Sequence, residues 1–317
     1  MGLVAIIWLV PILGEAATLT VDCNAGDKLQ PKVDNAKPGD ILQVVGTCNE
    51  NILVHQEIQR ITIDGQGKAT IKAPDAKQGA VLVRGQGTVI KRFSISGGQD
   101  GIRVDGSGTA QIEGNVIQGP GRDGIHIASG TVEIDNNVVE LARTGIVLDR
   151  NSFGLITKNT VRNNRDSGVV VRENSAARIG LSGLTGNDIS PNIIQANGGH
   201  GVTVWRSSTA WIVGNTIGNN KGNGVWINRS SQAYVANNTI NGNAGDAINV
   251  SHNSGVTLGS EDSERRDEPN KTEQTVNNTG FGINCAIGGY IDGRLGTLSG
   301  TKAVKNFETT CFDGLKP

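Results

Sequence analysis

The sequence predicts an all-β fold, a single-stranded right-handed parallel β-helix (solenoid) with capped ends. Three observations carry that prediction. Gly101, Gly124, Gly145, Gly168, Gly201 and Gly224 each open a Gly-aliphatic-x-aliphatic segment: GIRV, GIHI, GIVL, GVVV, GVTV and GVWI. A second marker runs in step, with Asn115, Asn137, Asn159, Asn192, Asn215 and Asn238 each preceding an x-aliphatic pair. Both repeats advance by 21–23 residues and both slip once, to 33, at the same place. Periods of this length, sustained over many copies, are those of stacked repeats. Third, the apolar residues alternate with period two and are punctuated by Gly and Asn, which suits short strands and turns and excludes helices.

Each coil follows from the alternation. Ile102 and Val104 point inward, and Arg103 and Asp105 outward. Ile125 with Ile127, and Ile146 with Leu148, repeat the pattern. A second strand precedes each marker Asn, with Ala110 and Ile112, Val132 and Ile134, Ala210 and Ile212, Ala233 and Val235 inward. A third inward aliphatic follows it: Ile117, Val139, Val161, Ile194, Ile217 and Ile240. No coil can bury these alone, so neighbours must stack. The marker asparagines are expected to form a ladder, since Asn tolerates left-handed turns and its amide reaches the Asn one coil away.

The remaining elements follow in chain order. Residues 1–16 hold a short apolar run ending in small residues, which reads as an export signal cleaved near Ala17, although no Lys or Arg precedes it. Residues 17–51 are expected to be an N-terminal cap and 52–258 the coils. The shared slip puts an insertion of about ten residues at 180–191, expected to be an exposed loop beside the Trp205 coil. Residues 259–276 read as a polar, solvated loop and 277–317 as a C-terminal coil and cap. Four cysteines allow three pairings; Cys23–Cys48 and Cys285–Cys311 are simplest, because the ends of a solenoid lie far apart. Disulfides and an export signal agree on a secreted or periplasmic location.

Composition narrows the partners. Lys and Arg number 29 against 30 Asp and Glu, so charge gives no reason to expect nucleic acid or an anionic membrane. Aromatic residues make up only 3% of the chain, so outward-facing tryptophans need a reason. Trp205 and Trp226 fall on adjacent coils of one outer face, with Arg172, Arg206 and Arg229 around them. Trp211 and Tyr234 form a similar pair on the next face. An indole can stack on the C–H face of a sugar while Arg and Asn bond its hydroxyls; it can also simply cover apolar surface.

The Gly-[ILV]-x-[ILV] and Asn-x-[ILV] markers, over roughly 52–258, resemble the right-handed β-helix repeat proteins of the pectate-lyase-like superfamily. That resemblance implies the fold. It implies an activity only weakly, because the superfamily holds polysaccharide lyases, glycoside hydrolases, sugar epimerases, phage tailspikes and members without known catalysis. The family's epimerase motif Asp-Pro-His-Asp is absent. Gly199-His200-Gly201 resembles the polygalacturonase Gly-His-Gly, but it lies several coils beyond Asp123 and no Arg-Ile-Lys follows. The candidate catalytic set is Asp100, Asp105 and Asp123, with Arg103, Arg122 or His126 as base or charge partner. Each has a plain alternative as an ion pair or turn-capping residue. No metal-ligand spacing stands out, and calcium on those carboxylates is the one cofactor left open.

The sequence therefore points to an exported protein that binds a polysaccharide, an acidic one included, and could process it. Trp205, Trp226, Arg172, Arg206 and Arg229 are the expected ligand residues. A non-catalytic structural or adhesive surface protein is the alternative. A lyase, hydrolase or epimerase is the further alternative.

Overall fold

The computed structural model describes residues 16–182, 188–259, 268–273 and 277–316. They form a right-handed parallel β-solenoid of about 12 turns. Each coil runs through a front strand, a flank strand and a back strand. Front strands, from Ile52–Val54 to Ala303–Phe307, stack into an 11-stranded sheet. Flank and back strands form two columns of a 20-stranded sheet, merged where the long strands Thr62–Ala73 and Thr88–Gly97 serve both.

The inward aliphatics named above lie in one continuous core, with Ile102, Ile125, Ile146, Val169, Val202 and Val225 in register and fully buried. The marker glycine has a steric origin. A Cβ on Gly124 would sit 2.2 Å from Val139 Cγ1 and 2.7 Å from the Gly145 carbonyl oxygen, so only hydrogen fits where the front strand starts. The marker asparagines do form a ladder: Asn115 Nδ2 donates to Asn137 Oδ1 at 3.0 Å, and the series runs on to Asn238. Each oxygen also accepts the backbone N–H of the Asn before it. Two further ladders accompany it, one through Asn164, Asn197, Asn220, Asn243 and Asn278, and one of seryl hydroxyls from Ser175 to Ser254. These turns bury polar groups only because each finds its partner one coil away.

The ends and the insertion depart from expectation in instructive ways. The segment expected as a cap already stacks, since Thr18–Asp22 pairs with Ile41–Val45. The cap proper is a short helix, Leu29–Asp34, that buries Leu29 and Val33 over the open end. Its Gln30 bonds both backbone groups of Leu53, closing the exposed edge of the first front strand. Disulfides join Cys23 to Cys48 and Cys285 to Cys311, as expected. The insertion is not simply exposed: Leu181–Ser182 pairs antiparallel with Asp188–Ile189, and Leu181 is fully buried against Val213 and Ala236 on the flank. Its apolar stem covers outward flank residues that would otherwise meet water, while 183–187 lie outside the described residues. Within the polar stretch, Asn270 accepts from Asn238 and Lys271 bridges to Thr239 and Thr297, so part of it is a coil. The expected export segment, except for Ala16, lies outside the described residues. No helix among the described residues is long and apolar enough to cross a membrane.

Candidate functional site on the front sheet

On a strand, side chains beside the core positions should meet solvent. On the front sheet many do not. His126, Val147, Val170 and Thr203, successive outward residues in one register, are all buried. Long side chains beside them, among them Arg103 and Arg122 at His126 and Arg143, Asp166, Arg172 and Trp205 at the others, take up the space that water would fill.

The N-terminal half of this face is a charged cluster. Asp100 and Asp123 each stand just before a marker glycine and are buried, as are His126 and Asp149. Arg122 grips Asp100 with two bonds, Nε to Oδ1 at 2.9 Å and Nη2 to Oδ2 at 2.7 Å. Arg103 reaches Asp100 at 3.3 Å and Asp105 at 3.1 Å, and Arg84 holds the other oxygen of Asp105. Arg143 lies 3.4 Å from Asp123, and Arg172 3.0 Å from Asp149. His126 Nδ1 faces Arg103 at 3.1 Å and Arg122 at 2.9 Å, while Nε2 lies 3.2 Å from Asp149 without hydrogen-bond alignment.

The electrostatics follow from these contacts. Burial by itself would raise the Asp100 carboxyl, but His126 and Arg122 outweigh it and hold it far below the ordinary range. Asp149 meets the same opposition from burial, and His126 and Arg172 lower it to about 2. Burial works against protonation of His126, and the carboxylates of Asp100 and Asp149 reverse that and raise its pKa.

One oxygen each from Asp100 and Asp123 lies with a His126 nitrogen inside 4.8 Å, close enough to hold a cation. The set does not fit one. Asp100 is already gripped by Arg122, guanidinium nitrogens flank His126 Nδ1, and calcium asks for six or more oxygens.

The C-terminal half is an open groove of about 390 Å³. Val147, Val170 and Thr203 floor it, Arg143, Asp166 and His200 stand on one side, Arg172 and Trp205 on the other, and Trp226 also lines it. His200 is kept neutral by burial, against the pull of Asp166. Its Nδ1 accepts the Asn223 backbone N–H at 2.9 Å, so the proton sits on Nε2. Trp226 stacks on His200 with centroids 4.7 Å apart.

Of the expected ligand residues, the groove thus gathers Trp205, Trp226 and Arg172. Arg206 and Arg229 are elsewhere: their guanidinium carbons lie 4.2 and 5.2 Å from the Trp205 ring centroid. Arg206 also pairs with Glu173. Of the candidate catalytic set, Asp100, Asp123, Arg103, Arg122 and His126 share the charged cluster, with Asp105 bridging Arg103 and Arg84 at its edge. Sequence reasoning missed Arg143, Asp166 and Thr203 as groove residues. The signal lay in their placement one or two positions before the marker glycine, or midway along the front strand.

Fold and face together define a right-handed parallel β-helix with a walled groove on one sheet. The chain belongs to the family described as right handed beta helix region, whose model matches residues 79–180 and 170–264. Among curated proteins the sequence has no match. Solved structures similar in fold include the following three. Against the Dettilon tailspike protein the TM-score is 0.55 at 13% identity, covering 88% of this chain and 61% of the tailspike. Against the mannuronan C-5 epimerase AlgE6 A-module of Azotobacter vinelandii it is 0.52 at 14%, covering 96% and 91%. Against pectate lyase Pel9A it is 0.50 at 10%, covering 94% and 81%. At these identities the likeness is one of fold.

Proposed function

We propose that this protein binds an extended polysaccharide, an acidic one preferred, lying across the front sheet in the groove between His200 and Trp205. The walled groove carries the reading. It combines an apolar floor, aromatic rings and a few polar groups, which is how sugar sites are built. The fold is shared with proteins named as a mannuronan epimerase and a pectate lyase, which supports a polymer of acidic sugars. Two disulfides suit an exported protein, secreted or periplasmic. The test is affinity electrophoresis through gels containing alginate, polygalacturonate or dextran. Trp226→Ala should weaken retardation roughly 10-fold, the scale of a stacked anchor residue. Unchanged retardation by every polymer sinks the assignment of the groove.

A second reading has one observation behind it. The buried Asp100, Asp123, His126 and Asp149 cluster adjoins the groove through Arg143 and Arg172, and shifted carboxylates such as Asp100 and Asp149 gather at catalytic sites. In that case Asp123→Asn abolishes release of unsaturated or reducing ends, or epimerisation, while binding persists.

A further inference from the structure

Three lining residues of the groove carry a polar atom that is buried and has no partner in the protein: Thr203 Oγ1, Arg172 Nε and Trp205 Nε1. Such atoms are few in a folded chain, and each costs about 1–3 kcal/mol when left unmatched. Here they fall together. Arg172 is the register partner of Trp205, and Thr203 stands two residues before Trp205 on the same outer face. Neighbouring strands are about 4.8 Å apart and alternate residues about 7 Å, so the three side chains spring from an area about the size of one sugar ring. All three can donate a hydrogen bond, and one bears a fixed positive charge. Thr203 is only 4% exposed and lines the groove, and its hydroxyl is covered by neighbouring side chains. The charged cluster does not use them: Asp149 engages Arg172 through Nη2, which leaves Nε spare.

We propose that Thr203, Arg172 and Trp205 form a subsite for the carboxylate of a uronate unit in the bound polymer. The inference rests on the groove reading above and deepens it by saying which chemical group fixes the sugar. Three donors, one of them on a guanidinium, suit an anionic acceptor and leave a neutral hydroxyl with one charged donor too many. The far wall sets orientation. Asp166 there repels a carboxylate, so the acidic edge of the sugar turns to Arg172 and its hydroxyl edge to Asp166 and the His200 Nε2–H. Arg172 and Trp205 form the partly exposed rim, so a rotamer change on binding uncovers the donors, a common adjustment at binding surfaces. A sulfate ester offers the same acceptor geometry, and the experiment separates it.

The full chain and the variants Thr203→Val, Trp205→Phe and Arg172→Lys are titrated with alginate, polygalacturonate, carboxyl-reduced polygalacturonate and dextran sulfate at one ionic strength. Thr203→Val and Trp205→Phe each remove one donor, and Arg172→Lys keeps the charge and removes the planar fork. The parent should bind a carboxylated polymer at least 10-fold more tightly than the carboxyl-reduced one. Thr203→Val and Trp205→Phe should each lose roughly 5-fold on the carboxylated polymer, and Arg172→Lys about 10-fold. Thr203→Val should keep or raise the thermal midpoint, because it deletes an unmatched group. Equal binding of the native and carboxyl-reduced polymer overturns the carboxylate subsite and leaves the groove reading standing. Equal or tighter binding of dextran sulfate overturns the uronate assignment in favour of a general anion site. A fall of several degrees for Thr203→Val shows that the hydroxyl has a partner in the fold and removes the premise. No binding to any of the four polymers overturns both readings.

Discussion

The front sheet presents two halves built on the same strand register but with opposite chemistry. Around Asp100, Asp123, His126 and Asp149, charges are buried and each carboxylate meets a guanidinium, although one oxygen each of Asp123 and Asp149 and the His126 Nε2 stay without a hydrogen bond. A few coils on, around Val170, Thr203 and Trp205, the face is an open groove with a mostly apolar floor and polar sides, and its unmatched polar atoms are donors. The difference teaches how a solenoid divides labour. A buried network of ion pairs ties its own coils together through charge. An open groove with few ion pairs contributes less to stability and keeps its donors for something else.

The sharpest way to break this contrast is to delete a charge from the first half. Asp100→Ala leaves Arg122 and Arg103 without their buried partner and should cost about 3–5 kcal/mol locally. Hydrogen exchange should show it in the coils from Ile102 to Leu148, with the Val202–Trp205 strand far less affected. A cost below about 1 kcal/mol would mean that the cluster does not hold those coils together.

Acid should produce an intermediate effect. Asp149 is depressed to about 2 from an ordinary 3.8. Its contribution to stability is fully present above 3.8 and is lost as pH falls through about 2. The shift corresponds to about 2 kcal/mol. Thermal midpoints measured from pH 5 down to pH 2 should fall steeply for the parent. Asp149→Asn should start lower at pH 5 and show a flatter slope; parallel curves would detach Asp149 from the acid response.

The smallest effect is expected where charge and ring meet outside the groove. Arg206→Ala and Arg229→Ala each remove a cation over the Trp205 ring and should cost about 0.5–1 kcal/mol. Tryptophan fluorescence should change, with little change in polysaccharide affinity. Loss of affinity as large as that of Arg172→Lys would extend the binding surface over the ring and past the groove as drawn.

Much of this architecture is legible in the residues because stacking makes it redundant. Ile102, Ile125 and Ile146 announce one inward column by repetition, and Asn115 to Asn238 announce one ladder. The second ladder was equally available, since Asn164, Asn197, Asn220 and Asn243 each follow a marker Asn by five residues. The site was only partly legible. Trp205, Trp226 and Arg172 were recognisable as outward residues on neighbouring coils, and the groove gathers them. Arg206 and Arg229 look equivalent in sequence but sit one residue past the strand, at left-handed turn positions with φ of 57° and 54°, which carries them over the Trp205 ring. Leu181 was hidden for another reason: an insertion interrupts the repeat, and no column predicts what its stem will cover.

The sequence by itself determined the coil length, the inward columns and the Asn ladder, and it favoured the pairing of cysteines at each end. All of these depend on what lies one coil away, a distance fixed by strand spacing. Only the tertiary structure decided which outward residues are exposed. His126, Val147, Val170 and Thr203 occupy the same outward column, and alternation would expose them all. They are buried because long side chains from the flanking turns and neighbouring strands crowd around them. Those side chains come from separate turns and strands and meet only when the coils stack. The same meeting sets the charges, because Arg122 and His126 lower Asp100 only once two coils bring them together. A period can be read along a chain, but a wall, a groove and a shifted pKa arise from contacts across it.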